Sequence, residues 1–159
     1  MKKLAANYVV TDSGEFLKNS LLVTDDDGTV LEYIDTRGQL AEIAQLIFYN
    51  GILLASFRFI KVRDSISFDD SDSRSFGEVI LAGTNDQKEI DVPGWLRLCK
   101  KVQEYFPEMA IPEIFMRVAD LLVSDGGFRR ENMPGVYLLA GSDLLVLKLS
   151  TGSKLRRVL

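Results

Sequence analysis

Histidine does not occur anywhere in this chain. It is the usual general base near neutral pH and the commonest metal ligand, so its absence removes Ser-His and Cys-His nucleophile pairs and every imidazole metal site at once. Cysteine is nearly as scarce. Cys99 stands alone, which excludes an internal disulfide and any multi-thiolate zinc site, and it reads as a small buried apolar residue in a reducing compartment. Long apolar runs are missing too: the longest, 44–48 and 51–57, are separated by Asn50 and Gly51 and fall far short of a bilayer span. Met1, Lys2 and Lys3 are followed by Leu4, Ala5, Ala6, Asn7 and Tyr8, without the continuous apolar region and cleavage site of a secretory signal, so a cytoplasmic location is expected. Positive charge is in deficit, and a net charge of −4 disfavours nucleic acid and anionic membranes as partners. Phosphate loops are absent as well. Gly152-Ser153-Lys154 has the wrong order for one, and no G-x-G-x-x-G occurs.

What is present describes an ordered globule. Hydrophobic residues make up 47% and charged residues 26% of the 159, close to the soluble average, and a chain of this size buries roughly 70% of its unfolded surface. β-Branched and aromatic runs at 6–10, 20–24, 29–35, 46–49 and 51–57 predict a mostly stranded first third. Asp26, Asp27 and Gly28 supply the chemistry of a hairpin tip. The polar loop 69–75 does not fit a calcium loop, because counting from Asp70 puts Ser75 at position six and Leu81 at position twelve where Gly and Glu are needed. A further strand is expected at 76–82, leading into a Gly83, Thr84, Asn85 turn.

Two helices follow. Trp95, Leu98, Cys99, Val102 and Phe106 form the apolar stripe of one; Ile111, Ile114, Phe115, Val118, Ala119 and Leu122 form that of the other. Pro93 and Pro112 sit where prolines open helices, and Phe106-Pro107 marks the break between them. After Gly126 and Gly127, strands are expected at 136–140, 144–149 and 155–159, with Lys154, Arg156 and Arg157 on a solvated face of the last. No repeat or low-complexity linker interrupts the chain.

The two ends of the chain, taken together, resemble a known family. Residues 5–10, Leu17-Lys18-Asn19, 23–30 and 48–53 look like the opening of amidohydrolase-superfamily enzymes of the chlorohydrolase and nucleobase-deaminase branch. Phe128, 133–139 and 143–157 look like their close. In that family the two ends build a composite β-sandwich beside a catalytic barrel. The resemblance therefore implies an α+β chain with a composite sandwich of 1–57 and 128–159, and a reduced α/β remnant of a truncated TIM barrel, carrying the two helices, at 58–127. The middle departs from the family. Where its first barrel strand reaches a metal-binding His-x-His pair, this chain reads 55–63 and places Lys61 and Arg63. Ammonium and guanidinium groups offer only donors and positive charge, so a divalent cation is repelled there. Where the family's last barrel strand ends in Gly-Thr-Asp, this chain has Gly83-Thr84-Asn85, and Asn85 cannot act as a carboxylate base. The stretch between Arg63 and Phe76 is far too short for the rest of a barrel of about 250 residues. What remains looks like the first and last barrel strands brought together.

The expectation is an inactive relative of metal-dependent amidohydrolases, with no metal, cofactor or catalytic residues. Exposed sheet edges and apolar helix faces left by a reduced barrel point to action through binding or assembly, as a homo-oligomer or with a protein partner. The alternative is a small-molecule anion binder or metal-independent enzyme using Lys61 and Arg63, which stand two positions apart on a strand and so share a face, with Asn85 or Asp86 beside them. A remnant without present function gives the same sequence signals as the first reading.

Overall fold

The structure, a computed structural model, describes residues 1–37, 43–63, 76–84 and 86–159. The chain is mixed α+β and mostly sheet. Among the described residues the strands are β1 (Lys2–Val10), β2 (Phe16–Lys18), β3 (Leu21–Thr24), β4 (Val30–Ile34), β5 (Leu46–Lys61), β6 (Glu89–Asp91), β7 (Phe128–Ala140) and β8 (Lys154–Arg157). The α-helices among them are α1 (Phe76–Leu81), α2 (Val92–Tyr105) and α3 (Ile111–Ser124). All eight strands belong to one hydrogen-bonded sheet in the order β4-β3-β1-β5-β7-β8, with β2 added to β1 and β6 to β5. Two compact units divide the chain: Met1–Ser56 with Ala110–Pro112 and Asn132–Leu159, and Phe57–Met109 with Glu113–Glu131. β5 and β7 are long enough to contribute to both.

In the first unit the β3–β4 hairpin turns where the acidic run predicts. Asp25 Oδ1 accepts from the Asp27 and Thr29 amides, and Asp27 Oδ1 from the Thr29 amide and hydroxyl. The sheet curls so that this turn returns to β7, the Gly135 amide donating to the Gly28 carbonyl at 2.9 Å. Leu4, Ala6, Leu22, Leu53, Val136 and Leu138 thereby share one interior, closed by Val158 and Leu159. Both chain ends are needed to fill it. On the opposite face of the same strands, Ala5, Leu21 and Val23 are buried against Ile34 and Leu46.

Residues 46–49 and 51–57, expected as two strands, form one. β5 runs parallel to β1, and the register shifts between the pairs Ala6–Tyr49 and Tyr8–Ile52. The shift is held by Asn7, whose Oδ1 accepts from the Gly51 amide at 2.7 Å, so the Asn50-Gly51 signal marks a bulge rather than a turn. Gly51 has φ of +147° and its missing Cβ would lie 2.5 Å from the Leu139 carbonyl oxygen.

Two expected strands are not strands. Residues 76–82 form α1 and then a 3₁₀ turn, Ala82–Thr84. The consecutive Ile80 and Leu81 are both buried while Val79 is exposed, which alternation across a sheet cannot give, and Thr84 Oγ1 closes the end on the Leu81 carbonyl at 2.7 Å. The strand on β5 in the second unit is instead β6, antiparallel, pairing Arg58 with Asp91 and Ile60 with Glu89. Residues 144–149 form a tight loop. Asp143 and Lys148 exchange backbone bonds at 3.0 Å, Asp143 Oδ1 accepts from the Leu145 and Val146 amides, and Leu147 takes a φ of +52°. The aspartate side chain satisfies amides that a strand would have paired elsewhere.

α2 and α3 match their sequence stripes. Asp91 caps α2, Oδ1 accepting from the Gly94 amide at 2.9 Å, and proline stands in its first turn. Cys99 and Val102 are fully buried, whereas Phe106 lies beyond the helix end as its cap and is 37% exposed. In α3, Ile111, Ile114, Phe115, Val118 and Leu122 are buried. No helix among the described residues is long and apolar enough to cross a membrane.

Candidate functional site

The candidate site lies in the second unit, at the end of β5. Alternation along the strand buries Phe57 and Phe59 and leaves Arg58 and Ile60 on the other side. Phe57 meets Phe59 and Trp95 edge-on, with ring centroids at 5.6 and 5.1 Å, and Trp95 lies 4.4 Å from Phe115. This aromatic cluster fixes β5 against α2 and α3. Arg130 of β7 lays its guanidinium over the Phe57 ring at 4.2 Å. On the other side Arg58 bonds Glu131 at 3.3 Å and Glu89 at 3.4 Å. The hydrogen bond to Glu131 raises the Arg58 pKa above its already high ordinary value. None of these groups carries a sequence signal by itself, because each cation takes its partner from an element distant along the chain.

Regular strand geometry stops at Lys61, whose amide bonds the Lys88 carbonyl at 2.9 Å. The next two amides, of Val62 and Arg63, both donate to the single Gly127 carbonyl, at 2.9 and 3.3 Å. Two successive amides sharing one acceptor break the two-residue alternation, so the shared face expected from spacing alone does not extend to Arg63. Lys61 places its amino group 5.7 Å from the Phe128 ring centre. Arg63 donates from Nη2 to the carbonyl of Ser124, the last residue of α3. There it satisfies an orphan acceptor and sits at the negative end of the helix dipole. Gly127 makes the approach possible, since a Cβ there would stand 2.7 Å from Arg63 Cγ and 2.8 Å from its carbonyl oxygen. Asn85 and the loop 69–75 lie outside the described residues, and Asp86 is exposed.

A divalent metal, which the amidohydrolase resemblance implies, does not fit this place. Its two side chains are cationic donors, one over an aromatic ring and one on a helix-end carbonyl. Among the described residues no three His, Cys, Asp or Glu side chains are grouped so as to hold an ion. Cys99 offers no nucleophile, because complete burial pushes its thiol pKa well above the ordinary value. Open clefts in this unit include one of about 610 Å³ around Tyr105, Phe106, Met109 and Glu113, and one of about 410 Å³ along Met116, Arg117 and Asp120 of α3. Neither protein-family models, nor curated proteins, nor solved structures match this chain.

Proposed function

We propose that this chain is an amidohydrolase-like protein without hydrolase activity that acts through self-assembly. The observation that carries the reading is the end of β5. Where the family it resembles presents imidazoles to a metal, Lys61 and Arg63 make contacts that hold the unit together, on the Phe128 ring and the Ser124 carbonyl. In this reading the first unit is the family's composite sandwich. Support comes from the curl that brings the β3–β4 turn on to β7 and from an interior filled by both chain ends. The second unit is what is left of the barrel, retaining the continuation of β5 and two amphipathic helices, with α1 in the stretch where the last barrel strand is expected. Assembly is supported by apolar surface on this unit, where Tyr105, Met116 and Val123 are exposed. The anion-binding alternative is less well supported, because both cations already have partners within the fold.

Light scattering between about 1 and 100 µM tests the reading, since association shows as mass that rises with concentration. We expect a species larger than one chain, together with deaminase and chlorohydrolase rates at background. A monomer throughout, or turnover above background that is lost in Lys61→Ala, overturns it.

A further inference from the structure

The outward side of α3 carries a charge pattern that is its own complement. Helical spacing sets Glu113, Met116, Arg117, Asp120 and Ser124 along one side, opposite the buried stripe of Ile114, Phe115, Val118 and Leu122. Met116 and Val123 are 57% and 46% exposed, and a groove bordered by Glu113, Met116, Asp120 and Leu121 follows the same side. Glu113 and Asp120 flank Arg117 at spacings that favour pairing within a helix. Instead, the Arg117 guanidinium lies over the Phe106 ring at 5.8 Å, and no ion pair found among the described residues takes in Glu113, Arg117 or Asp120. At the far end of the helix Arg63 is held on the Ser124 carbonyl. The face thus runs from an anion at its start through a cation and a second anion, and its end carries both Asp125, on the groove, and Arg63, on the Ser124 carbonyl.

We propose that α3 packs antiparallel against α3 of a second copy through its outward side, about a two-fold axis passing between Arg117 and Asp120. This rests on the assembly reading above and names its surface. Antiparallel alignment about that point sets Arg117 opposite the partner's Asp120 and Glu113 opposite the partner's Ser124. The two-fold repeats each contact, so two opposite-charge pairs, Arg117 with Asp120 in each direction, form the centre of the interface. A parallel pairing in register would instead oppose Glu113 to Glu113, Arg117 to Arg117 and Asp120 to Asp120. The charge pattern therefore selects the antiparallel arrangement as well as the surface.

Arg117→Asp makes the centre of the face wholly acidic and Asp120→Arg makes it wholly basic. Sedimentation velocity of wild type, each variant alone and an equimolar mixture reads the result, with circular dichroism confirming that each variant keeps its helices. The wild type is expected to dimerise, and each variant alone to dimerise about tenfold more weakly or worse. The mixture is expected to recover the dimer. In it the aspartate introduced into one chain faces the arginine introduced into the other, and the unaltered Asp120 and Arg117 face each other across the axis. A wild-type dimer that both variants retain overturns the α3 interface and leaves the assembly reading standing. Variants that dissociate but are not rescued by mixing overturn the antiparallel alignment. A wild type that is monomeric throughout overturns both the interface and the assembly reading.

Discussion

Cys99 shows how one residue's surroundings become a property of the whole chain. Its thiol is fully buried on α2 and its pKa is raised by desolvation, so the folded protein keeps it neutral where the unfolded chain ionises it. The sign follows from proton linkage. Below the unfolded thiol value, about 8.5, both states hold the proton and the full stability is present. As pH rises from there toward the higher folded value, the unfolded state alone gives up its proton and stability falls, by about 1.4 kcal/mol per pH unit once the unfolded thiol is mostly ionised. Urea unfolding between about pH 7 and 10 should therefore show a steeper alkaline loss in the wild type than in Cys99→Ala. Equal slopes would show that the thiol is open to solvent.

At the scale of elements, the bulge in the β1–β5 pairing is built on one glycine. Gly51 presses against the Leu139 carbonyl from a positive φ, and its amide is held by Asn7. Gly51→Ala should cost more than about 1 kcal/mol, because neither the backbone conformation nor the neighbouring backbone atom can yield cheaply. Gly83 is the control. It lies in the 3₁₀ turn with no positive φ, and a Cβ added there would meet nothing within 4 Å, so Gly83→Ala should be neutral or stabilising by up to about 1 kcal/mol. Thermal unfolding of the two variants side by side checks the contrast, and equal effects would contradict the bulge geometry. Both glycines sit beside turn-forming residues in the sequence, and only the neighbours tell them apart.

At the scale of the molecule, the chemistry expected of the chain follows from the donors it has. With no imidazole and one buried thiol, three or four ligands for zinc, iron or manganese cannot be gathered from nitrogen and sulfur. Elemental analysis after dialysis against a weak chelator should find less than about 0.1 equivalent of each of these metals, since carboxylates alone favour magnesium or calcium. Stoichiometric zinc or iron would contradict the whole reading, because it would restore the Lewis acid that activates water in metal-dependent hydrolysis.

The sequence by itself determined the α+β composition, the two amphipathic helices and the acidic hairpin tip. A 3.6-residue stripe sustained over several turns, or Asp and Gly at a reversal, has few other outcomes. It also determined that cations stand at positions 61 and 63. Tertiary structure decided the rest. Residues 76–82 and 144–149 are short apolar runs in which the period is too brief to separate helix, strand and loop, and the burial of Ile80 and the side chain of Asp143 settled them. β2 and β6, three residues each, are strands only because a longer strand lies alongside to accept their hydrogen bonds. Likewise the contacts of Lys61 and Arg63 depend on Phe128, Gly127 and Ser124, which lie far along the chain and come within reach only once β7 and α3 have packed beside β5.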